Sequence, residues 1–190
     1  MDSNPKVLIL CNDFPPINSI GADRPNSWYL YFKEFGLDPV VVTKNWNSNG
    51  NTSFNDVSHS LEVESTKYGE LIKTPGRKTP SIWFKNKFGK RFSILRKSLT
   101  FLEKITSFRL GLFDQHYGIY LEAKKYIVKN KVALVITTGE PFILFRYGRK
   151  LQKKFDVQWI ADYRDGWYLN HKCIRFKYSM EDHEEMGTDS

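Results

Sequence analysis

Short, continuous apolar runs alternate along the chain with segments whose apolar residues recur every three or four positions. The first run, KVLILC at 6–11, predicts a buried strand. After a loop, aromatic residues at helical spacing predict a helix from residue 23 or 24 to Phe35, which Gly36 ends. The run PVVVT at 39–43 predicts a second buried strand. A strand, a helix and a strand in this order predict a right-handed βαβ unit with parallel strands.

The same alternation continues through the second half of the chain. The further predicted strands are 61–64, 70–73, 132–137 and 157–161, and the further predicted helices are 114–130 and 141–154. Asp114 is a candidate N-cap for the first of these helices. Buried strands that alternate with helices predict the α/β class, with a Rossmann-like, doubly wound, mostly parallel sheet. We expect one such domain over residues 1–172, followed by a polar tail or linker over 173–190.

The composition is that of a soluble globular protein, with 41% hydrophobic and 26% charged residues. Its two cysteines, Cys11 and Cys173, offer neither a disulfide framework nor the ligand spacing of a zinc site. The four histidines also lack metal-ligand spacing and are predicted to lie at the surface, so we predict no metal site. No apolar run reaches the length of a membrane-spanning helix. A cytoplasmic location in a reducing compartment fits these features best.

Positive charge is concentrated in one segment of the chain. Residues 72–111 hold eleven lysines and arginines and one acid, Glu103, which gives the segment a net charge of +10. Because the whole chain carries +8, the remaining residues sum to −2. The apolar residues from Phe92 to Ile105 keep a helical period, which predicts an amphipathic helix. The segment predicts an anionic surface or ligand as partner, unless it is a solvated helix face whose aromatic residues lie in the core.

Ligands of open parallel sheets bind beyond the carboxyl ends of the strands, near the point where the strand order reverses. The loops expected at this position are 12–24, 138–141 and 162–167. In the first loop, Gly21 permits close approach of the backbone, and the helix that follows, together with Arg24, favours an anion. The alternative is that Gly21 only makes a turn and Arg24 is solvated.

The other two loops supply carboxylates. Glu140 is a candidate for ligand binding, or alternatively a carboxylate that the positive end of the following helix stabilises. Asp162 and Asp165 flank Arg164 directly after a predicted buried strand. Two carboxylates at such a position need a counter-charge, which Arg164 supplies. This arrangement predicts an aspartate that orients a hydroxyl or acts as a base, and an arginine that binds a phosphate or carboxylate; a structural salt-bridge cluster is the alternative.

Four segments resemble the N-terminal domain of family 4 glycosyltransferases, which are enzymes of the two-domain GT-B architecture. They are VLILCNDFPPINSIGADR, FGLDPVVVT, FDQHYGIYLEAKKYIVKNKVALVITTGEPF and WIADYRDGW, and the resemblance covers residues 6 to about 168. The last segment is similar to the signature W-[IV]-[AV]-D-[FY]-R-D-x-W. Pro141 stands alone where related sequences often have two prolines. The usual catalytic histidine of the family has no match, since Arg164 falls near its place.

The resemblance implies transfer of a sugar, with retention, from a nucleotide-sugar donor to a carbohydrate or lipid-linked envelope acceptor, without a metal or other cofactor. It implies that this domain receives the acceptor and that the first loop, around Gly21, meets the donor phosphates. Our candidate site residues are Asp162 and Asp165 as catalytic groups, and Gly21, Arg24, Glu140 and Arg164 as substrate-binding groups.

The resemblance also bears on partners. Family members carry a second Rossmann domain with the donor-sugar site, so this chain is expected to be half of an enzyme and inactive alone. Such domains dock on anionic membranes through basic, aromatic-rich helices. Residues 73–109 are therefore expected to make peripheral contact with the inner face of the membrane.

Two other functions stay open at the level of sequence. Residues 73–109 are compatible with a basic α/β module that binds nucleic acid or another polyanion. The segment contains no recognised nucleic-acid motif, so nucleic acid is the less favoured partner. A regulatory or degenerate domain without a catalytic role is the remaining alternative.

Overall fold

The computed structural model describes residues 4–46, 58–76, 95, 97–102 and 114–163, and these ranges contain a six-stranded sheet with flanking helices. The strands are β1 (Lys6–Leu10), β2 (Asp38–Lys44), β3 (Glu62–Ser65), β4 (Glu70–Thr74), β5 (Val132–Thr138) and β6 (Gln158–Asp162). The helices are α1 (Ile20–Tyr31), which a 3₁₀ turn (Phe32–Phe35) extends, α2 (Tyr117–Lys129) and α3 (Ile143–Phe155). Residues 97–102 are also helical. Each predicted strand is confirmed, with its ends displaced by one residue at most.

The strand order is β3-β4-β2-β1-β5-β6. Neighbouring strands are parallel except β3, which pairs antiparallel with β4 at one edge. Leu8 of β1 pairs with Val40 of β2 on one side and with Val135 of β5 on the other. The chain moves outward from β1 to β2 and β4, then returns to β5 and β6, so the strand order reverses between β1 and β5. This arrangement confirms the predicted α/β, Rossmann-like, mostly parallel sheet.

Helices cover both faces of the sheet because successive side chains of a strand point in opposite directions. In β2, Val40 and Val42 belong to the core beneath α2 and α3. Val41 belongs to the core beneath α1, where Tyr29 packs. A strand that is buried on both faces needs apolar side chains at successive positions, and each fully buried one contributes about 1.5–3 kcal/mol. This requirement explains why continuous apolar runs located the strands.

Helix α1 begins about one turn earlier than the sequence predicts. Ser19 has an extended backbone and is the N-cap, and its hydroxyl accepts a hydrogen bond from the Ala22 amide at 3.2 Å. The predicted start at residue 23 or 24 is wrong because it follows the aromatic periodicity, which begins after the cap. Gly36 ends the helical stretch as predicted, with a φ of 71° that glycine adopts without strain.

Helix α2 begins at Tyr117, and the prediction that Asp114 caps it is wrong. His116 holds the N-cap position and makes no side-chain capping hydrogen bond. The Asp114 carboxylate is engaged by the His116 ring and by the hydroxyl of Tyr147 in α3. A residue suited to capping therefore serves a tertiary contact between the start of α2 and α3.

Helix α3 packs closely on β5 and β6 at Gly148. A Cβ atom at this position would lie 2.1 Å from Nε1 of Trp159 and 2.7 Å from Cγ2 of Thr137. The same indole nitrogen donates a hydrogen bond to Oγ1 of Thr137 at 2.8 Å. Glycine is therefore the residue that fits here without a shift of α3 away from the sheet.

Several predictions fall on residues outside the described ranges. These include most of the basic segment 72–111, the domain boundary at residue 172 and the polar tail 173–190. Within the described ranges, no helix combines the length and the apolar character that crossing a membrane requires.

Candidate functional site

The carboxyl ends of β1, β5 and β6 form the edge of the sheet where the strand order reverses. Loop 11–19 joins β1 to α1, and loop 139–142 joins β5 to α3, so the two loops flank the reversal. Ligands of parallel α/β sheets bind in the crevice at this position. The predicted site residues in or next to these connections are Gly21, Arg24, Glu140 and Asp162.

Arg24 of α1 and Asp162 of β6 meet across this edge. Nη1 of Arg24 donates to Oδ1 of Asp162 at 2.5 Å, and the two side chains are 44% and 17% exposed. The ion pair joins the first predicted loop to the third over a separation of 138 residues. The sequence suggests Arg164 as the counter-charge of Asp162, but the contact described by the structure comes from Arg24. Arg164 and Asp165 lie outside the described residues, so their roles stay predictions.

Asp162 keeps one carboxylate oxygen without a donor in the described part of the chain. Its Oδ2 is buried and unpaired, whereas its backbone carbonyl accepts from the Gly139 amide at 3.1 Å. Buried acceptors are nearly always paired in native proteins, so Oδ2 is a position for a donor from water or a ligand. A ligand hydroxyl is such a donor, and the half-exposed guanidinium of Arg24 beside it suits an anionic group.

The loop between β1 and α1 is organised around Asp13. Its Oδ1 accepts from Nδ2 of Asn12 at 2.6 Å, and its Oδ2 accepts from the Ser19 hydroxyl at 3.0 Å. Gly21 is buried in the first turn of α1, not in the preceding loop as predicted. The Ser19 hydroxyl also engages the Ala22 amide, one of the N–H groups that were expected to face an anion. A role of Gly21 beside a phosphate stays a prediction.

Glu140 is exposed in the loop between β5 and α3. Helix α3 begins at Ile143, shortly after it in the chain. The structure therefore locates Glu140 at the predicted edge of the sheet, where its carboxylate is accessible to solvent and to a ligand.

A second polar cluster at the same edge was not predicted. It consists of Lys44, Asp114, His116 and Tyr147, and we call it the Lys44 cluster. Nδ1 of His116 lies 3.1 Å from Oδ1 of Asp114, and the Tyr147 hydroxyl donates to Oδ2 of Asp114 at 2.5 Å. Lys44 is the last residue of β2, is 6% exposed, and has its ammonium 5.3 Å from the centroid of the Trp46 ring. His116 is 7% exposed, so its predicted surface position is wrong.

Burial governs protonation in the Lys44 cluster. Loss of solvent lowers the pKa of Lys44 to about 8, although the carboxylates of Asp114 and Asp13 oppose the shift. Burial also lowers the pKa of His116, against its hydrogen bond with Asp114. Burial opposes ionisation of Asp114, but hydrogen bonds from His116 and Tyr147 outweigh it and lower the pKa of this carboxyl. At pH 7 the cluster therefore contains a cationic lysine beside a neutral histidine.

The sequence contained only a weak signal for this cluster. Lys44 directly follows an apolar strand, and a charged residue there belongs to the carboxyl edge of the sheet. Asp114 and His116 precede a helix, but nothing in their spacing indicates that the start of α2 lies beside the end of β2. That proximity arises from the crossover between β4 and β5, which packs α2 against β2 and β4.

Comparisons with known proteins add no identification. A scan of the chain against protein-family models finds no match, and a search of curated proteins finds none. Within the described residues, no group of three His, Cys, Asp or Glu side chains is arranged to hold a metal ion. The fold and the crevice thus define the chain as a Rossmann-like α/β domain with two polar sites at the carboxyl edge of its sheet.

Proposed function

We propose that this chain is the acceptor-binding, N-terminal domain of a glycosyltransferase similar to family 4. The complete enzyme transfers a sugar from a nucleotide-sugar to a carbohydrate or lipid-linked envelope acceptor. The observation that carries the proposal is the contact between Arg24 and Asp162. This contact joins the first and the last of the four segments on which the resemblance rests.

The chemistry of this pair suits sugar transfer. An acceptor hydroxyl that donates to the unpaired Oδ2 of Asp162 is held in a fixed orientation, and the carboxylate favours loss of its proton. Arg24 is 44% exposed and turns a planar set of N–H donors toward the same crevice, which suits the diphosphate of a nucleotide-sugar. The pair thus serves both reactants, with the acceptor beside Asp162 and the phosphates beside Arg24.

The other candidate residues extend this proposal. Gly21 lies in the same first turn of α1 as the Ser19 cap, and Glu140 lies in the loop on the other side of the strand-order reversal. Arg164 and Asp165 follow Asp162 in the chain and are proposed as substrate-binding and catalytic groups. A second Rossmann domain, implied by the resemblance, supplies the donor-sugar site.

Docking on an anionic membrane through residues 73–109 is a further part of the proposal. The described residues of this segment include Leu95, Phe101 and Leu102, which are 60%, 65% and 57% exposed. Exposed apolar side chains within a strongly basic segment suit the boundary between headgroups and acyl chains, where each basic residue contributes about 1 kcal/mol.

Transfer of label from UDP- and GDP-sugars tests the proposal, with membranes from cells that express the natural protein. We expect label in the lipid or polysaccharide fraction, and a loss of about tenfold or more for Asp162→Asn and Arg24→Ala. Lys125→Ala is the matched control, since this exposed residue of α2 pairs only locally with Glu122. Undiminished transfer by Asp162→Asn would overturn the assigned site. Ordinary turnover by the 190-residue chain alone contradicts the requirement for a second domain.

Binding to anionic vesicles and to DNA at matched salt separates this proposal from the polyanion-binding alternative. We expect the chain to bind vesicles. Tight binding to duplex or single-stranded DNA without binding to vesicles favours the alternative.

A further inference from the structure

Three polar groups at the carboxyl edge of β1 and β2 have no hydrogen-bond partner among the described residues. Oδ1 of Asn12 is buried and unpaired. The Lys44 ammonium contacts the Trp46 ring but lies within salt-bridge distance of no described carboxylate, although the residue is 6% exposed. Nε2 of His116 also has no partner there, since the one hydrogen bond of this ring, to Asp114, is made through Nδ1. A buried acceptor such as Oδ1 of Asn12 is normally satisfied, and Lys44 and His116 are only 6% and 7% exposed, so a ligand that pairs with all three groups fits this position.

Shared neighbours place the residues that carry these groups in one region of the carboxyl edge. The backbone carbonyl of Asn12 accepts from Nε1 of Trp46 at 2.9 Å and from Oγ1 of Thr43 at 3.1 Å. Trp46 is also the ring beside the Lys44 ammonium. Lys44 is close enough to His116 for its charge to contribute to the lowered pKa of the imidazole.

The charges around these groups decide which class of ligand fits. The carboxylates of Asp13 and Asp114 affect the pKa values of both Lys44 and His116, so both acids face the site. Two carboxylates and one ammonium give the site a net negative charge, which disfavours an anionic ligand. A neutral hydroxyl meets no such penalty, because it accepts from Lys44 and donates to Asn12 or to the free nitrogen of His116.

We propose that Asn12, Lys44 and His116 bind a neutral polyhydroxylated ligand, such as a sugar, through neighbouring hydroxyls. Lys44 donates to one hydroxyl oxygen, Oδ1 of Asn12 accepts from another hydroxyl, and Nε2 of His116 engages a third. The bond to Asn12 satisfies an acceptor that the free protein holds buried and unpaired, and the other two bonds engage side chains of largely buried residues. That this ligand is the sugar acceptor of a transfer reaction rests on the proposed function, whereas the binding itself does not.

Saturation-transfer NMR on the 190-residue chain tests the site. The probes are the methyl glycosides of glucose, galactose, mannose and N-acetylglucosamine, with inorganic phosphate as the anionic comparison. We expect at least one glycoside to bind, and Lys44→Met and Asn12→Ala each to weaken it about tenfold. Lys125→Met, an exposed lysine of α2, is the matched control and leaves binding unchanged. Equal binding by wild type and Lys44→Met overturns the proposal.

Acetylation of Lys44 by acetic anhydride, followed by mass spectrometry, gives a second measurement that needs no variant. A bound glycoside is expected to slow acetylation of Lys44 while that of Lys125 proceeds at the same rate. Protection by phosphate but not by glycosides, or by neither, overturns the proposal. Glycoside binding by the chain, together with no sugar transfer in the membranes that contain the natural protein, supports this site and overturns the proposed function. Sugar transfer with an unchanged acceptor KM in Lys44→Met overturns the acceptor role.

Discussion

Nζ of Lys6 lies 3.0 Å from Oε1 of Glu70 at the amino edge of the sheet, where β1 and β4 begin. The Tyr126 hydroxyl connects them, since it accepts from Lys6 at 2.7 Å and donates to Glu70 at 2.6 Å. Each group of this network has a partner. The carboxyl edge differs, because Oδ2 of Asp162 and Oδ1 of Asn12 are buried there without a partner in the described ranges. The amino edge thus carries a fully paired network, whereas the carboxyl edge keeps two unpaired acceptors, as the proposed ligand binding there requires.

The Glu70 network predicts a loss of stability in acid. Burial opposes ionisation of Glu70, but hydrogen bonds from Tyr126 and Lys6 outweigh it and hold its pKa below the ordinary 4.5. Folding therefore favours the carboxylate, so its contribution is complete above pH 4.5 and is lost as the pH falls through the folded pKa. We expect Glu70→Gln to lower the free energy of unfolding by about 1 kcal/mol or less at pH 7, and by less still in acid. Urea unfolding at pH values from 7 to 3 measures this difference. An equal loss of unfolding free energy in Glu70→Gln at every pH contradicts the stabilising role of the ionised Glu70 carboxylate.

Gly148 is predicted to tolerate no side chain. In Gly148→Ala, the new Cβ would lie 2.1 Å from Nε1 of Trp159, so the indole or α3 must move and the hydrogen bond to Thr137 is lost. We expect a loss of about 1–3 kcal/mol in the free energy of unfolding, measured by urea denaturation.

Gly118 of α2 is the matched control for this prediction. A Cβ there would lie 3.5 Å from the nearest atoms of Thr74, which is ordinary van der Waals contact. Since alanine is favoured over glycine within a helix by about 0.5–1 kcal/mol, Gly118→Ala is expected to leave the protein as stable or slightly more so. Equal destabilisation by both substitutions contradicts the steric argument at Gly148.

Local sequence was sufficient to predict the sheet, because buried parallel strands leave a strong signal. The runs KVLILC and PVVVT are apolar at successive positions, as burial on both faces demands, and Gly36 ends a helix through its own backbone freedom. The start of α1 was missed because one hydroxyl, that of Ser19, decides it. Asp114 was misassigned because capping is a local property, and its actual partner, Tyr147, comes from another helix.

The candidate site was less accessible to sequence reasoning because its contacts are long-range. Asp162 was placed correctly at the carboxyl edge, since a strand ends there, but the pairing with Arg24 depends on the folding of α1 and β6 toward a common edge. Lys44 and His116 come together only through the crossover that carries α2 over the sheet. No pattern within either segment encodes that proximity.

Removal of the Arg24 guanidinium tests whether the ion pair between Arg24 and Asp162 serves function or stability. The side chain is 44% exposed, and ion pairs of such exposure contribute less than about 1 kcal/mol. We therefore expect Arg24→Ala to change the free energy of unfolding by no more than this amount while sugar transfer falls. A loss above about 2 kcal/mol in urea unfolding supports the alternative, in which the pair mainly ties α1 to β6.

Lys44→Met is predicted to stabilise the protein at neutral pH and to weaken ligand binding. Burial lowers the pKa of Lys44 from 10.5 to about 8, so the unfolded chain binds this proton more tightly than the folded protein. The free energy of unfolding of the wild type should therefore rise as the pH increases from 8 to 10.5, by about 3 kcal/mol. Lys44→Met lacks this rise, so its free energy of unfolding should exceed that of the wild type by a similar amount at pH 7 and approach it near pH 10.5.

Lys125→Met, which removes an exposed lysine, is the control and should show no such pH dependence in the same urea titrations. A free energy of unfolding below that of the wild type in Lys44→Met at pH 7 contradicts the prediction. Retention of a costly buried ammonium by the wild type is expected if Lys44 serves binding at the expense of stability.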